Sequence, residues 1–187
     1  MRIAIDAMGG DLGPSVVVDG VKLAMRLLPR HAEVLVVGKV RHLKRLFTIK
    51  RAGHPRVHLV DATQVVTMHD KPRESLKKTE SSIAVATRLV KEEQAQALVT
   101  PGNTGAAMAH MMFGWRLLPG IDRPAIAGIL PTPTGVTVVL DMGANVDCKP
   151  RHLVEFAIMG ACYAQGMFEV DQPRVGILSI GEEPTKA

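Results

Sequence analysis

Four short stretches of this chain place small and polar residues at the ends of apolar runs. They are Asp6-Ala-Met-Gly9-Gly10-Asp11, Thr100-Pro-Gly102-Asn103-Thr104-Gly105, Asp141-Met-Gly143-Ala-Asn145-Val-Asp147 and Gly181-Glu182-Glu183-Pro-Thr-Lys186. Glycine lets a ligand approach the main chain, while the carboxylate, amide, hydroxyl and ammonium groups can bind and orient it. The second stretch is the strongest single candidate. Gly102 and Gly105 permit tight turns, and Asn103 and Thr104 offer side-chain hydrogen bonds. The unpaired N–H groups of a helix starting there would attract an anion such as phosphate. The dipole contributes only about 0.3–1 kcal/mol at an exposed site, so other groups must add to it. A glycine turn capped by Asn or Thr stays open as the alternative.

The other stretches are less specific. Asp6 and Asp11 could line a site or cap a turn. Asp141, Asn145 and Asp147 supply oxygens that could hold a cation or polarise a ligand, but their spacing is not that of a calcium loop, and a metal is not indicated. Several familiar chemistries lack their motifs. There is no GxxxxGK[ST] and no GxGxxG, so nucleotide and nicotinamide binding lose their usual support. There is no GxSxG elbow and no HExxH. Cys148 and Cys162 stand apart with no CxxC, which reads as two reduced thiols.

The elements that must carry these stretches are strands and helices in alternation. Apolar runs at 2–6, 33–38, 57–61, 97–100, 125–130, 136–141 and 174–180 are continuous, not in/out alternations. Burial on both faces, as in a parallel sheet covered by helices, gives that pattern. Helices are expected at 14–28, 39–51, 82–94, 104–118 and 150–165. Pro14 and Pro150 suit a first turn, and the Ser81-Ser82 pair can cap one. The expected fold is α/β, a doubly wound, mostly parallel sheet with helices on both faces, over a single domain 1–187. In such sheets ligands bind beyond the carboxyl ends of the strands, so the four polar stretches should share one rim.

Composition narrows the partners. Aromatic residues make up 3% of the chain, too few for nucleic-acid stacking platforms. No run approaches the ~18 apolar residues of a membrane helix, and no signal peptide begins the chain. A cytoplasmic location follows, with any membrane contact peripheral. Residues 22–78 carry 14 Lys/Arg against 4 Asp/Glu. That basic region favours an acidic partner, although a solvated face fits equally well.

At these stretches the sequence resembles the acyl-(acyl-carrier-protein):phosphate acyltransferase family of bacterial phospholipid synthesis. The matching segments are IDAMGGD, SSIAVATRLVKE, GNTGAAMA, GIDRPAIAGILP, LDMGANVDCKPRHLVEFAIMGACYA and PRVGILSIGEE, in family order. Thr100-Pro101 departs from the usual Ser-Ala before GNTG, and Thr79-Glu80 from the basic residue and Asp common there. The chain also stops where family members continue, so it is expected to be the amino-terminal portion of a longer fold. The resemblance implies a fold like phosphotransacetylases and isopropylmalate dehydrogenases. It implies no cofactor, a homodimer, and transfer of an acyl group from acyl carrier protein to inorganic phosphate. The product would pass to a membrane glycerol-3-phosphate acyltransferase at the inner face of the membrane. On that basis Gly102, Asn103, Thr104 and Gly105 bind phosphate, assisted by Ser81 and Ser82. Asn103, Thr104, Asp141, Asn145 and Lys186 act at the reacting centre. Asp6, Gly9, Gly10, Asp11, Gly143 and Glu182 form its rim. Lys39, Arg41, Lys44, Arg45, Lys77 and Lys78 dock the acidic carrier. The competing reading is a shortened chain that binds carrier protein or partners without turnover.

Overall fold

The computed structural model describes residues 1–133 and 135–178. The chain separates into two compact units, Met1–Arg116 and Leu117–Ala187.

The first unit is a four-stranded parallel sheet in the order β3-β2-β1-β4. The strands are β1 (Arg2–Asp6), β2 (Glu33–Gly38), β3 (Val57–Asp61) and β4 (Ala97–Val99). Five of the six residues of β2 are buried, as an inner strand covered on both faces requires. Helices α1 (Gly13–Leu27) and α2 (Val40–Ile49) cover one face. There Val18, Val21 and Met25 of α1 and Leu43 and Phe47 of α2 pack on Val34 and Val36. Helix α4 (Ser82–Lys91) covers the other face, with Val85, Ala86 and Leu89 against Ala4, Leu35 and Val37. Helices on both faces make the sheet doubly wound, as expected. A short helix α3 (Pro72–Ser75) precedes α4. Helix α5 (Thr104–Trp115) follows β4.

The chain order fixes where a ligand can enter. From β1 the chain winds outward through β2 to β3, then crosses back to lay β4 on the opposite side of β1. The topological switch point therefore lies between the carboxyl ends of β1 and β4, the usual crevice of such sheets.

The second unit holds an antiparallel pair, β5 (Gly128–Thr132) and β6 (Gly135–Val139), and the long helix α6 (Pro150–Phe168). The apolar runs at 125–130 and 136–141 thus form a hairpin and are not members of a parallel sheet. Thr132 pairs with Gly135, and parallel neighbours need a crossover of about a dozen residues. Residues 174–178 of the last expected strand are irregular.

Candidate functional site

The loops after β1 and β4 meet at the switch point. Asp6 ends β1 and is buried. Its Oδ1 accepts the N–H of Met8 at 3.2 Å, and its Oδ2 accepts the hydroxyl of Thr100 at 2.8 Å. That hydroxyl oxygen in turn accepts the N–H of Gly102 at 3.1 Å. One carboxylate therefore shapes both loops. The glycines are required by the contact itself. A Cβ on Gly102 would lie 3.1 Å from the Gly9 main chain, and one on Gly9 would lie 2.7 Å from Asp6 Oδ2. Gly10 sits against Pro101 in the same way. Asp11 is exposed at the edge.

Asn103 is the N-cap of α5, its Oδ1 accepting the N–H of Ala106 at 3.0 Å. Its Nδ2 donates to the carbonyls of Thr67, Met68 and Asp70 at 3.3, 3.1 and 2.9 Å. The amide is thus committed to holding the segment between β3 and α4 against the start of α5. What stays open is the main chain. Among the described residues the N–H groups of Thr104 and Gly105 have no protein acceptor, as first-turn donors lack one within the helix. Thr104 itself is exposed.

The clamped segment brings charge with it. Lys78 donates to Asp70 Oδ2 at 2.7 Å and to the carbonyl of Val65 at 2.9 Å. The Lys78 ammonium, with the N–H and hydroxyl of Thr67, holds the Asp70 carboxyl down at about 2. Pro72 packs on Gly105, its Cγ 2.9 Å from where a Cβ would stand. Lys71 and Arg73, on either side of it, are exposed and unpaired among the described residues. Beneath them the Ser75 hydroxyl donates to the Pro72 carbonyl at 2.7 Å. His110 of α5 holds its Nε2 3.2 Å from the Ser75 carbonyl. Burial pushes the His110 imidazole below its ordinary range, against the pull of the Ser75 carbonyl and the Asp6 charge.

The remaining expected residues fall in different places. Ser81 and Ser82 are buried at the start of α4, where the Ser81 hydroxyl accepts the N–H of Ala84. Lys39, Arg41, Lys44 and Arg45 are exposed along α2 and Lys77 is exposed after α3, while Lys78 is the internal clamp already described. Asp141 and Asn145 belong to the second unit. Asp141 accepts the N–H of Ile126 at 2.7 Å and that of Asn145 at 2.6 Å, and Asn145 Nδ2 donates to the Pro124 carbonyl at 2.8 Å. Gly143, at φ 95°, supplies the positive-φ turn between them. Glu182 and Lys186 lie outside the described residues. A separate cleft of about 440 Å³ lies at the far ends of α4 and α5, lined by Val90, Trp115 and Arg116 among others. It is remote from the glycine loops, and the Lys91, Glu93 and Arg116 that line it form no ion pair with one another among the described residues. No group of His, Cys, Asp or Glu among the described residues is arranged to hold a metal, and no described helix is long and apolar enough to cross a membrane.

Comparison with known proteins settles the family. A family model described as "Fatty acid synthesis protein" matches residues 1–187. The chain belongs to the fatty acid synthesis protein family. Relatives within it include the phosphate acyltransferases of Pelotomaculum thermopropionicum and Geobacter sulfurreducens. Each is 48% identical over 187 residues, which are all of this chain and 54% of the relative. The phosphate acyltransferase of Heliobacterium modesticaldum is 48% identical over 188 residues, 56% of its length. The chain thus spans about half the length of these fatty acid synthesis family members.

The sequence reading missed Thr100, whose hydroxyl links Asp6 to Gly102. Its place at the end of an apolar run, facing another run ending in Asp, was the available signal. It also missed the Asp70–Lys78 clamp, for which no periodic pattern exists.

Proposed function

We propose that this chain carries the phosphate-holding part of an enzyme that transfers a fatty acyl group from an acyl carrier protein thioester to inorganic phosphate. The observation that carries the reading is the open first turn of α5 at the switch point. Two main-chain donors and the positive end of the helix coincide there, on a turn that also carries the exposed Thr104.

Phosphate is already a nucleophile. One of its oxygens attacks the thioester carbonyl, the C–S bond breaks, and the carrier thiol leaves, giving acyl phosphate. The protein's task is to hold phosphate against the carbonyl and to donate hydrogen bonds to the oxyanion that forms. The N–H groups of Thr104 and Gly105 suit the first role. Asn103 and Asp6 then act by positioning, since their polar atoms shape the loops. Lys71 and Arg73 add positive charge on either side of Pro72, which packs on Gly105. The exposed Lys39, Arg41, Lys44, Arg45 and Lys77 dock the acidic carrier. A homodimer and delivery of product to a membrane glycerol-3-phosphate acyltransferase complete the reading.

The test is to mix the chain with acyl carrier thioester, with and without phosphate, and to titrate free thiol. Thiol release only with phosphate supports the proposal. Release independent of phosphate overturns it. Because the chain spans about half of its relatives, a second reading is kept: binding of carrier and phosphate without turnover, shown by saturable binding of both with no thiol released.

A further inference from the structure

The outer surface of α1 has a composition that neither its own core nor the phosphate site explains. Leu12, Val16, Leu23 and Leu27 are all exposed, Leu12 by 77% and Leu27 by 87%. At 100° per residue they fall on one side of the helix, opposite Val18, Val21 and Met25, which face the core. Gly20 lies on the same stripe with no atom near its would-be Cβ, leaving a notch in the middle. The stripe runs roughly 22 Å, at about 1.5 Å per residue.

Helix α2 lies beside it on the same sheet face. Lys50 at its end bonds Asp19 of α1 at 2.6 Å, and Lys22 of α1 donates to the Lys50 carbonyl at 2.8 Å. The outward residues of α2 include Arg41, Lys44 and Arg45, none of them in an ion pair among the described residues. The two helices therefore present one continuous surface, an aliphatic ridge with a notch beside a row of unpaired cations. A surface that merely needed solvation would not carry four large aliphatic side chains in register.

We infer that α1 and α2 together form the carrier-docking surface, the α1 stripe receiving the apolar side chains of an acidic amphipathic helix whose carboxylates pair with α2. This rests on the carrier-docking reading above and extends it to residues outside the basic cluster. Charge complementarity selects this occupant: the free cations beside the stripe favour an acidic partner over a neutral or basic one, and the stripe has the length of a helix of about four turns.

Affinity of the 187-residue chain for an acyl carrier protein, measured by titration calorimetry at low and high salt, tests the inference. The double variant Leu23→Ser/Leu27→Ser, at exposed positions, should keep its circular dichroism spectrum and weaken carrier binding on the order of tenfold at both salt concentrations. Arg41→Glu/Arg45→Glu should weaken it more, and mainly at low salt. An unchanged Kd in the leucine variant alongside a weakened one in the arginine variant overturns the α1 inference and leaves the basic docking face standing. Carrier affinity unchanged in both variants, or absent in the parent chain, overturns both. If the leucine variant alters only sedimentation of the chain or its binding to phosphatidylglycerol vesicles, the stripe belongs to a second copy or to a bilayer, and the inference fails.

Discussion

The two units reach order by opposite means. Of the 23 buried apolar residues among those described, 22 lie in Met1–Arg116 and only Phe156 lies beyond it. The first unit is a sheet sandwiched by helices, with its polar network confined to one rim. The second is tied by hydrogen bonds: Asp141 to Ile126 and Asn145, Asn145 to Pro124, Arg123 to the Asp147 carbonyl, and Glu155 to the N–H of Asp122. Its helix α6 leaves Leu153, Val154, Ile158 and Met167 exposed. Burial contributes about 25 cal/mol per Å², whereas a net hydrogen bond contributes roughly 0.5–1.5 kcal/mol. The first unit can therefore hold a closely apposed pair of glycine loops, and the second depends on each polar tie.

The largest expected effect tests that difference directly. Leu43→Ala empties a fully buried position and should cost about 2–5 kcal/mol in urea unfolding of the first unit. Ile158→Ser should stay within about 0.5 kcal/mol, as exposed substitutions do. A large loss at Ile158 would mean that α6 is covered in solution and would break the comparison.

Next come the two aspartates that end strands or follow them. Asp6 and Asp141 do similar work, each accepting from loops on two segments. Removing such an acceptor leaves donors unpaired, at about 1–3 kcal/mol. Asp141→Ala should therefore open amides across residues 120–147 in hydrogen exchange. Asp6→Ala should loosen only residues 6–11 and 100–103, with β1 and β2 still protected. Equal spread of exchange in the two variants would remove the distinction.

Much of the first unit was legible because its signals are local. Continuous apolar runs marked β1 to β4, and Ser81 and Pro14 marked helix starts within a residue of where they occur. The glycine loops were legible for the same reason, since backbone freedom at a strand end has few other uses. The role of Asn103 was not. Its type states what it can donate, but its acceptors lie at least 33 residues away, and only the fold brings them under the amide. The hairpin was misread in direction because its strands are apolar enough to pass for buried ones, although their short separation already forbade a crossover. A smaller effect belongs to the cap that was read correctly. Ser81→Ala should cost about 0.5–2 kcal/mol, seen as a lowered urea midpoint for the first unit.

The smallest effect is the response to acid, and here the units should part in the pH at which they weaken. In the first, burial favours neutral His110. The unfolded chain then binds a proton near the ordinary value of 6.5 before the folded one does, so this contribution is whole above that pH and declines as pH falls below it. Asp70 adds a later loss. Its carboxylate is held at about 2 in place of the ordinary 3.8, so its contribution is whole above the higher value and fades toward the lower. In the second unit Glu155 is lowered from 4.5, first by the Asp122 N–H and then by Arg151, and its contribution fades only below that value. Urea midpoints of the first unit should thus fall between pH 7 and 5.5, where the protection factors of amides in residues 120–155, taken against the intrinsic exchange rate at each pH, stay constant. His110→Gln should abolish that early fall. If the variant keeps it, the imidazole buried under α3 is not its source, and the acid response no longer separates the two units.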